Sequence, residues 1–205
     1  MIDQKIIERE AKKFRISVSD KEVEEQYQNI ILAEGGEEQV KKLLTELWGF
    51  DINYFKELIR RTLLEEKMKT EIPITVHLKH ILSQVPAGTD QAGQDQILAK
   101  AQGLKNEIAA GKNFAEVAKQ SSEDTATKDS GGDLGWLSRA QIETQLGKDC
   151  ADKIMNLKVG GMDICRSGFG FDIVLVEEKK GKIDQTFEAW FEGVKKKTKI
   201  WRFVP

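Results

Sequence analysis

The sequence predicts an α+β protein in which a small sheet surrounded by helices is inserted into, or follows, an all-α domain. Three observations lead there. Apolar residues recur at helical spacing through the first 72 positions. Pro73 then closes that pattern, and ITVHLKHIL (74–82) replaces it with β-branched alternation. A second alternating run, FGFDIVLVEE (169–178), appears only after several short helical stretches. Strand, helices and strand again is the order of an α+β unit.

Within the first region, Ser19 stands three residues before Glu22, the arrangement of a capping box. Val23, Tyr27, Ile30 and Ile31 follow on one helical face. Val40, Leu43, Leu44 and Leu47 form the next stripe after Gly35-Gly36, and Gly49 ends it. Asp51 is the cap expected before Phe55, Leu58, Ile59 and Leu63. Three or four amphipathic helices packed together satisfy these stripes. In the 74–82 strand, Val76, Leu78, His80 and Leu82 share one face and His77 takes the other. Pro86 to Gln94 is expected as a loop. A helix carrying Ile97, Ala101, Leu104 and Ile108 stops at Gly111, and Asn113 caps the next, NFAEVAKQSS. Glu123 to Gly135 is expected as a loop. SRAQIETQL and DCADKIMNL are short helices, and Gly160-Gly161 turns the chain into the last strand. The tail carries Phe187, Trp190, Phe191, Ile200, Trp201 and Phe203, too much apolar surface to leave in water. It is expected to return to the N-terminal helices, giving a helical domain 1–73 completed by 183–205 and a second domain 74–182.

Composition excludes several function classes. Thirty-two Lys and Arg against 34 Asp and Glu leave a net charge of −2, without the basic excess that phosphate backbones demand. No nucleic-acid partner is therefore expected. No apolar run approaches the ~20 residues of a membrane-spanning helix, so no membrane insertion is expected. Two histidines leave little for an imidazole metal site, and the expectation is no metal and no cofactor. Cys150 and Cys165 lack the spacing of a metal or redox pair and read as buried or partly buried thiols. MIDQKIIEREAKKF is not a secretory signal, which places the chain as written in the cytoplasm. The alternative is an extracytoplasmic protein whose signal segment is absent.

The ordered set LKHIL (78–82), FAEVAKQSSEDTATKDSGGDLGWLSRAQI (114–142) and GFGFDIVLVEE (168–178) resembles the parvulin-type peptidyl-prolyl cis-trans isomerases. The preceding helical segment, ending LIRRTLLEEKM, is similar to the N-terminal region of SurA- and PrsA-type folding factors. The resemblance implies a parvulin-like, antiparallel-rich sheet surrounded by helices. It also implies rotation about X–Pro bonds of unfolded or partly folded proteins by stabilising the twisted amide, with no covalent step.

Site residues carry over from the same resemblance. His80, Asp124 and Asp172 are the implied catalytic set. Leu82, Trp136, Ile142, Leu146, Ser167 and Phe169 are the implied substrate-binding set, with Ile142 and Leu146 cradling the proline ring. One position departs from the family pattern: Asp172 stands where a second histidine is usual. A carboxylate there favours the protonated imidazole, so a raised His80 pKa is expected. Each residue has a plainer reading. His80 could be a half-buried strand histidine, Asp124 a loop aspartate that caps or solvates, and Asp172 a solvent-facing strand residue. GGDLG lacks the Gly-Lys-Ser/Thr ending of a phosphate loop. The alternative function is a catalytically weak holdase chaperone that keeps the fold. Partners are proline-containing polypeptides, and a homodimer formed by swapping elements is an alternative use of the helical region.

Overall fold

Pro73 also marks a boundary in the computed structural model, which describes residues 2–199. One unit takes the chain up to Ile72 together with the segment from Thr186, and the other takes Pro73–Gln185.

The first unit opens with α1 (Ile2–Phe14), α2 (Asp20–Ala33), α3 (Glu37–Leu43) and α4 (Ile52–Glu71). Ser19 and Glu22 form the reciprocal capping box at the start of α2, with the Ser19 N–H donating to the Glu22 carboxylate at 2.9 Å. Val23, Tyr27 and Ile31 of α2 meet Val40, Leu44 and Ile59 in a buried cluster. A π-helical turn, Leu44–Trp48, extends α3 and ends at Gly49 in the left-handed conformation. Asp51 then caps α4 by accepting the Tyr54 N–H at 2.7 Å.

The second unit contains β1 (Thr75–Gln84), α5 (Gln91–Ala109), α6 (Phe114–Ser121), β2 (Asp133–Ser138), α7 (Arg139–Leu146), α8 (Lys148–Asn156), β3 (Met162–Arg166) and β4 (Gly170–Lys180). The four strands form one sheet in the order β2-β1-β4-β3, and every pair is antiparallel. Alternation along the strands divides the core between two faces. Val76, Leu78, Val174 and Val176 lie under α7 and α8, whereas Ile81 and Ile173 lie under α5 and α6.

Two strands depart from the sequence expectation. β2 begins inside the stretch read as a loop, because a six-residue strand with Gly135 at its centre has little alternation to read. β3 is five residues long, below the length at which periodicity speaks. The helix after β1 also starts earlier than expected, at Gln91, with Asp90 accepting the Gly93 N–H.

Cys150 and Cys165, expected as thiols, are joined by a disulfide across a Cα–Cα distance of 5.1 Å. Packing of α8 against β3 makes them neighbours, and linear spacing gives no sign of that packing. The bond closes a loop of 15 residues in sequence. Converting both cysteines to serine is expected to destabilise the second unit by about 3 kcal/mol in urea unfolding. An unchanged midpoint would mean the bond adds nothing.

After β4 the chain re-enters the first unit as α9 (Phe187–Lys197), capped by Thr186. Trp190 meets Phe14 edge to face at 5.5 Å, and Lys195 pairs with Asp3 at 3.7 Å. Phe187 and Phe191 are buried with it. Ile200, Trp201 and Phe203 lie outside the described residues, as does the side chain of Leu47.

Candidate active site

β1 pairs with β2 only as far as Lys79, where a bulge lets the next residues face other partners. The His80 N–H donates to the Gly132 carbonyl at 2.8 Å. Further on, the Leu82 N–H donates to Ser122 Oγ at 3.2 Å, and the Leu82 carbonyl accepts the Glu123 N–H at 2.9 Å. The loop after α6 is thereby stitched to the strand, which brings Asp124 beside His80 although 44 residues separate them. Asp172 arrives from the other side, on β4, in register with Leu82 and therefore diagonal to His80.

The three side chains form one chain of hydrogen bonds. His80 Nδ1–H donates to Asp172 Oδ1 at 2.8 Å. His80 Nε2–H is shared between Asp124 Oδ2 at 2.9 Å and Thr127 Oγ1 at 3.0 Å. The Thr127 hydroxyl in turn donates to Asp124. A carboxylate at each ring nitrogen favours the doubly protonated imidazolium of His80. Burial would push its pKa down. The hydrogen bond and charge of Asp172, then those of Asp124, outweigh burial and hold it above the ordinary histidine value. This is the direction expected from the carboxylate at position 172. Burial pushes Asp124 up, but the hydrogen bonds from Thr127, His80 and the Ala126 N–H win, and its carboxyl sits below the usual range. Asp172 is 1% exposed, and its Oδ2 has no hydrogen-bond partner among the described residues. An orphaned acceptor in a dry position is the kind of cost that functional sites carry.

A cleft of about 490 Å³ opens over this floor. Of the residues expected from sequence, it brings together His80, Asp124, Asp172, Leu82, Leu146 and Phe169. Phe169 is 62% exposed at the rim. Three others do not line it. Trp136 pairs with His77 on the opposite sheet face, since Leu137 takes the core side, and Lys180 Nζ lies 3.7 Å over its ring. Ile142 is fully buried with Val76 and Leu78, one helical turn deeper than Leu146. Ser167 is occupied in the β3–β4 turn, where its Oγ accepts the N–H groups of Phe169 and Gly170 at 3.2 and 3.3 Å.

Sequence reading passed over Gln84, Glu123, Thr125, Leu134, Thr144 and Gln145 in the lining, and Thr127 in the network. Gln84 was within reach: it continues the 80, 82, 84 alternation of β1. Thr127 had no comparable signal, because its role depends on how an irregular loop folds back. No lysine or arginine lines the cleft among the described residues, so His80 is the one side chain there that can carry positive charge. Among those residues, no group of three or more His, Cys, Asp or Glu side chains is arranged so that it could hold a metal ion.

Comparison with known proteins gives this geometry its family. A model described as the PPIC-type PPIase domain matches residues 62–180. The foldase protein PrsA of Staphylococcus aureus (strain MRSA252) is 30% identical over 182 residues, covering 82% of this chain and 55% of the relative. The chain thus spans about half the length of the curated relatives it matches. Among solved structures, the peptidylprolyl isomerase PrsA from Bacillus anthracis is 24% identical with a TM-score of 0.44, over 96% of this chain and 84% of that one. A SurA-like chaperone of Campylobacter jejuni is 22% identical with a TM-score of 0.45, over 96% of this chain and 72% of that one. Matched over more than half of its length, the chain belongs to the PPIC-type peptidyl-prolyl cis-trans isomerase family.

Proposed function

We propose that the chain accelerates cis–trans isomerisation of X–Pro bonds in unfolded or partly folded polypeptide clients. The observation that carries this reading is the cleft itself, in which Leu82, Leu134, Leu146 and Phe169 stand around an Asp124–His80–Asp172 floor whose His80 and Asp172 are buried. The reaction turns one amide against a barrier of ~18–20 kcal/mol, and no bond is made or broken. Leu82, Leu146 and Phe169 hold the proline ring. The floor carries two carboxylates against one imidazolium. A planar amide presents a strongly polarised carbonyl oxygen, which sits badly beside excess negative charge. On twisting, conjugation is lost and the oxygen carries less charge, so the repulsion falls at the top of the barrier. That difference between ground and twisted states is catalysis by differential binding.

The test is isomerisation of a short X–Pro peptide. The wild-type chain is expected to accelerate it, and His80→Ala to lower the acceleration about a hundredfold. No acceleration at any X would overturn the enzyme reading. Asp172, standing at the position of the usual second histidine, favours a second reading as a holdase with weak catalysis. Aggregation suppression that survives His80→Ala would support it.

Glu123 and Asp124 at the cleft also set a preference for the residue before proline. Glu123 is held in place by the Gln84 N–H at 2.5 Å and by Lys100 at 3.3 Å. Lys–Pro peptides are expected to be turned over about fivefold faster than Glu–Pro peptides at low salt, with the gap closing as salt rises. A Glu–Pro preference would contradict this.

In this reading the helical unit offers clients a second, apolar contact and raises the concentration of prolines near the cleft. The Cys150–Cys165 disulfide supports an oxidising, extracytoplasmic setting. No helix among the described residues is long and apolar enough to cross a membrane.

A further inference from the structure

A second cleft, of about 530 Å³, lies at the outer edge of β3 and is lined by α5, α8 and the strand itself. Its charge is opposite to that of the proline cleft. Lys105, Lys153 and Arg166 line it with one carboxylate, Asp163, over an apolar floor of Leu98, Ile164 and Phe171. Lys105 reaches Asp163 at 3.0 Å, while Lys153 stands 3.9 Å from Asp163 and donates to the Ile164 carbonyl at 2.8 Å. Arg166 is braced 4.9 Å over the Phe171 ring, and no carboxylate pairs with it among the described residues. A guanidinium stacked on an aromatic face keeps its fork of donors free for a carboxylate. The Cys150–Cys165 bond ties the helix that carries Lys153 to the strand that carries Arg166, so these two cationic groups stand on one cross-linked frame.

Lysines beside an edge strand often serve only to prevent edge pairing. Three features go beyond that. The cations outnumber the acid three to one in a chain of net charge −2. Apolar side chains rather than solvated ones form the floor. Leu98 to Asn106 on α5 extends about 12 Å, the span of three or four residues of extended polypeptide. The β3–β4 turn joins the two clefts: Phe169 stands at the rim of one and Arg166 lines the other. A polypeptide passing over that turn would reach both.

We propose that this cleft binds a short acidic segment of a polypeptide, its carboxylates on Arg166, Lys105 and Lys153 and its apolar side chains on Leu98, Ile164 and Phe171. The proposal rests on the isomerase reading only for the source of that segment, a client whose proline sits in the other cleft.

A proline-free peptide separates the two readings. Binding of a labelled peptide alternating Glu and Leu to the full chain is measured by fluorescence anisotropy, beside the same peptide with Lys for Glu. The acidic peptide is expected to bind and the basic one not to. The pair Lys105→Glu and Arg166→Glu is expected to weaken binding about tenfold, and Lys105→Gln with Arg166→Gln by about threefold should the reversal disturb folding. A peptide with X–Pro followed by acidic residues is expected to show a lower KM than its neutral counterpart at unchanged kcat, and to lose that advantage in the variants. Absence of binding, equal binding of the basic peptide, insensitivity to both variant pairs, or capture of phosphatidylglycerol vesicles in place of the peptide would overturn the proposal. Loss of isomerase activity with acidic-peptide binding intact would leave the cleft standing and remove the isomerase reading alone.

Discussion

Asp172→Asn is expected to move the alkaline limb of the pH–activity profile to lower pH and to reduce the rate at pH 7 about tenfold. In the folded chain His80 sits above its ordinary value of 6.5, with Asp172 the strongest influence raising it and burial the strongest opposing one. Removing the negative charge at 172 takes away the strongest influence raising the pKa and leaves Asp124 alone to oppose burial, so the imidazolium loses its proton at lower pH. Stability follows the same linkage. Because the folded pKa of His80 is raised, its contribution is fully present below 6.5 and is lost as pH climbs through the folded value. Asp124 runs the other way: its folded pKa is lowered, so its contribution is present above the ordinary 3.8 and is lost as pH falls through the folded value. The charged network therefore stabilises the site fully between these two limits, and the wild-type chain is expected to unfold more readily on either side. The His80 Cε1–H resonance, followed by NMR across the pH range in both proteins, checks the argument directly. An unchanged His80 titration in Asp172→Asn would show that the carboxylate does not govern the imidazole.

Where a local rule was enough, the sequence was a good guide. The Ser19 box, the Asp51 and Asn113 caps and the alternation of β1 and β4 depend on a few neighbouring residues, and each is found where that chemistry puts it. The His80–Asp172 bond was foreseeable only through the family resemblance, which puts a carboxylate at 172 where a second histidine is usual; alternation alone left a solvent-facing Asp172 open. What was not legible depends on contacts between distant segments. β2 and β3 are too short to announce themselves, and they exist because β1 and β4 offer them partners. The disulfide requires α8 to lie against β3. Trp136 and Ile142 illustrate the limit at the site: family position placed both near the proline, while one step of strand alternation turns Trp136 to the other face and one helical turn takes Ile142 into the core.

The glycines of the GGDLG block offer the sharpest separation between backbone geometry and packing. Gly132 has φ +79 and Gly135 has φ +70, so both occupy a region that L side chains rarely adopt. Their surroundings differ. A Cβ on Gly132 would fall on the backbone carbonyl of His80, and would also lie 3.4 Å from the Ala118 Cβ, whereas a Cβ on Gly135 meets nothing within 4 Å. Gly135→Ala is therefore expected to show the dihedral penalty alone, about 1 kcal/mol. Gly132→Ala adds a collision that no rotamer relieves, because the obstacle is main chain. The loop must move away from β1, breaking the 2.8 Å bond from the His80 N–H to the Gly132 carbonyl. Thr127 moves with it, since its carbonyl accepts the Gly132 N–H at 2.9 Å. Strain, collision and lost hydrogen bonds together are expected to destabilise the second unit by about 4 kcal/mol or more. Activity would fall with stability, because the same movement withdraws Asp124 and Thr127 from His80. Urea unfolding of the two variants side by side decides the matter. Equal losses would mean that only the dihedral angle matters. A large loss confined to Gly132 would mean that the motif is needed for the close approach of its loop to the strand that carries the histidine.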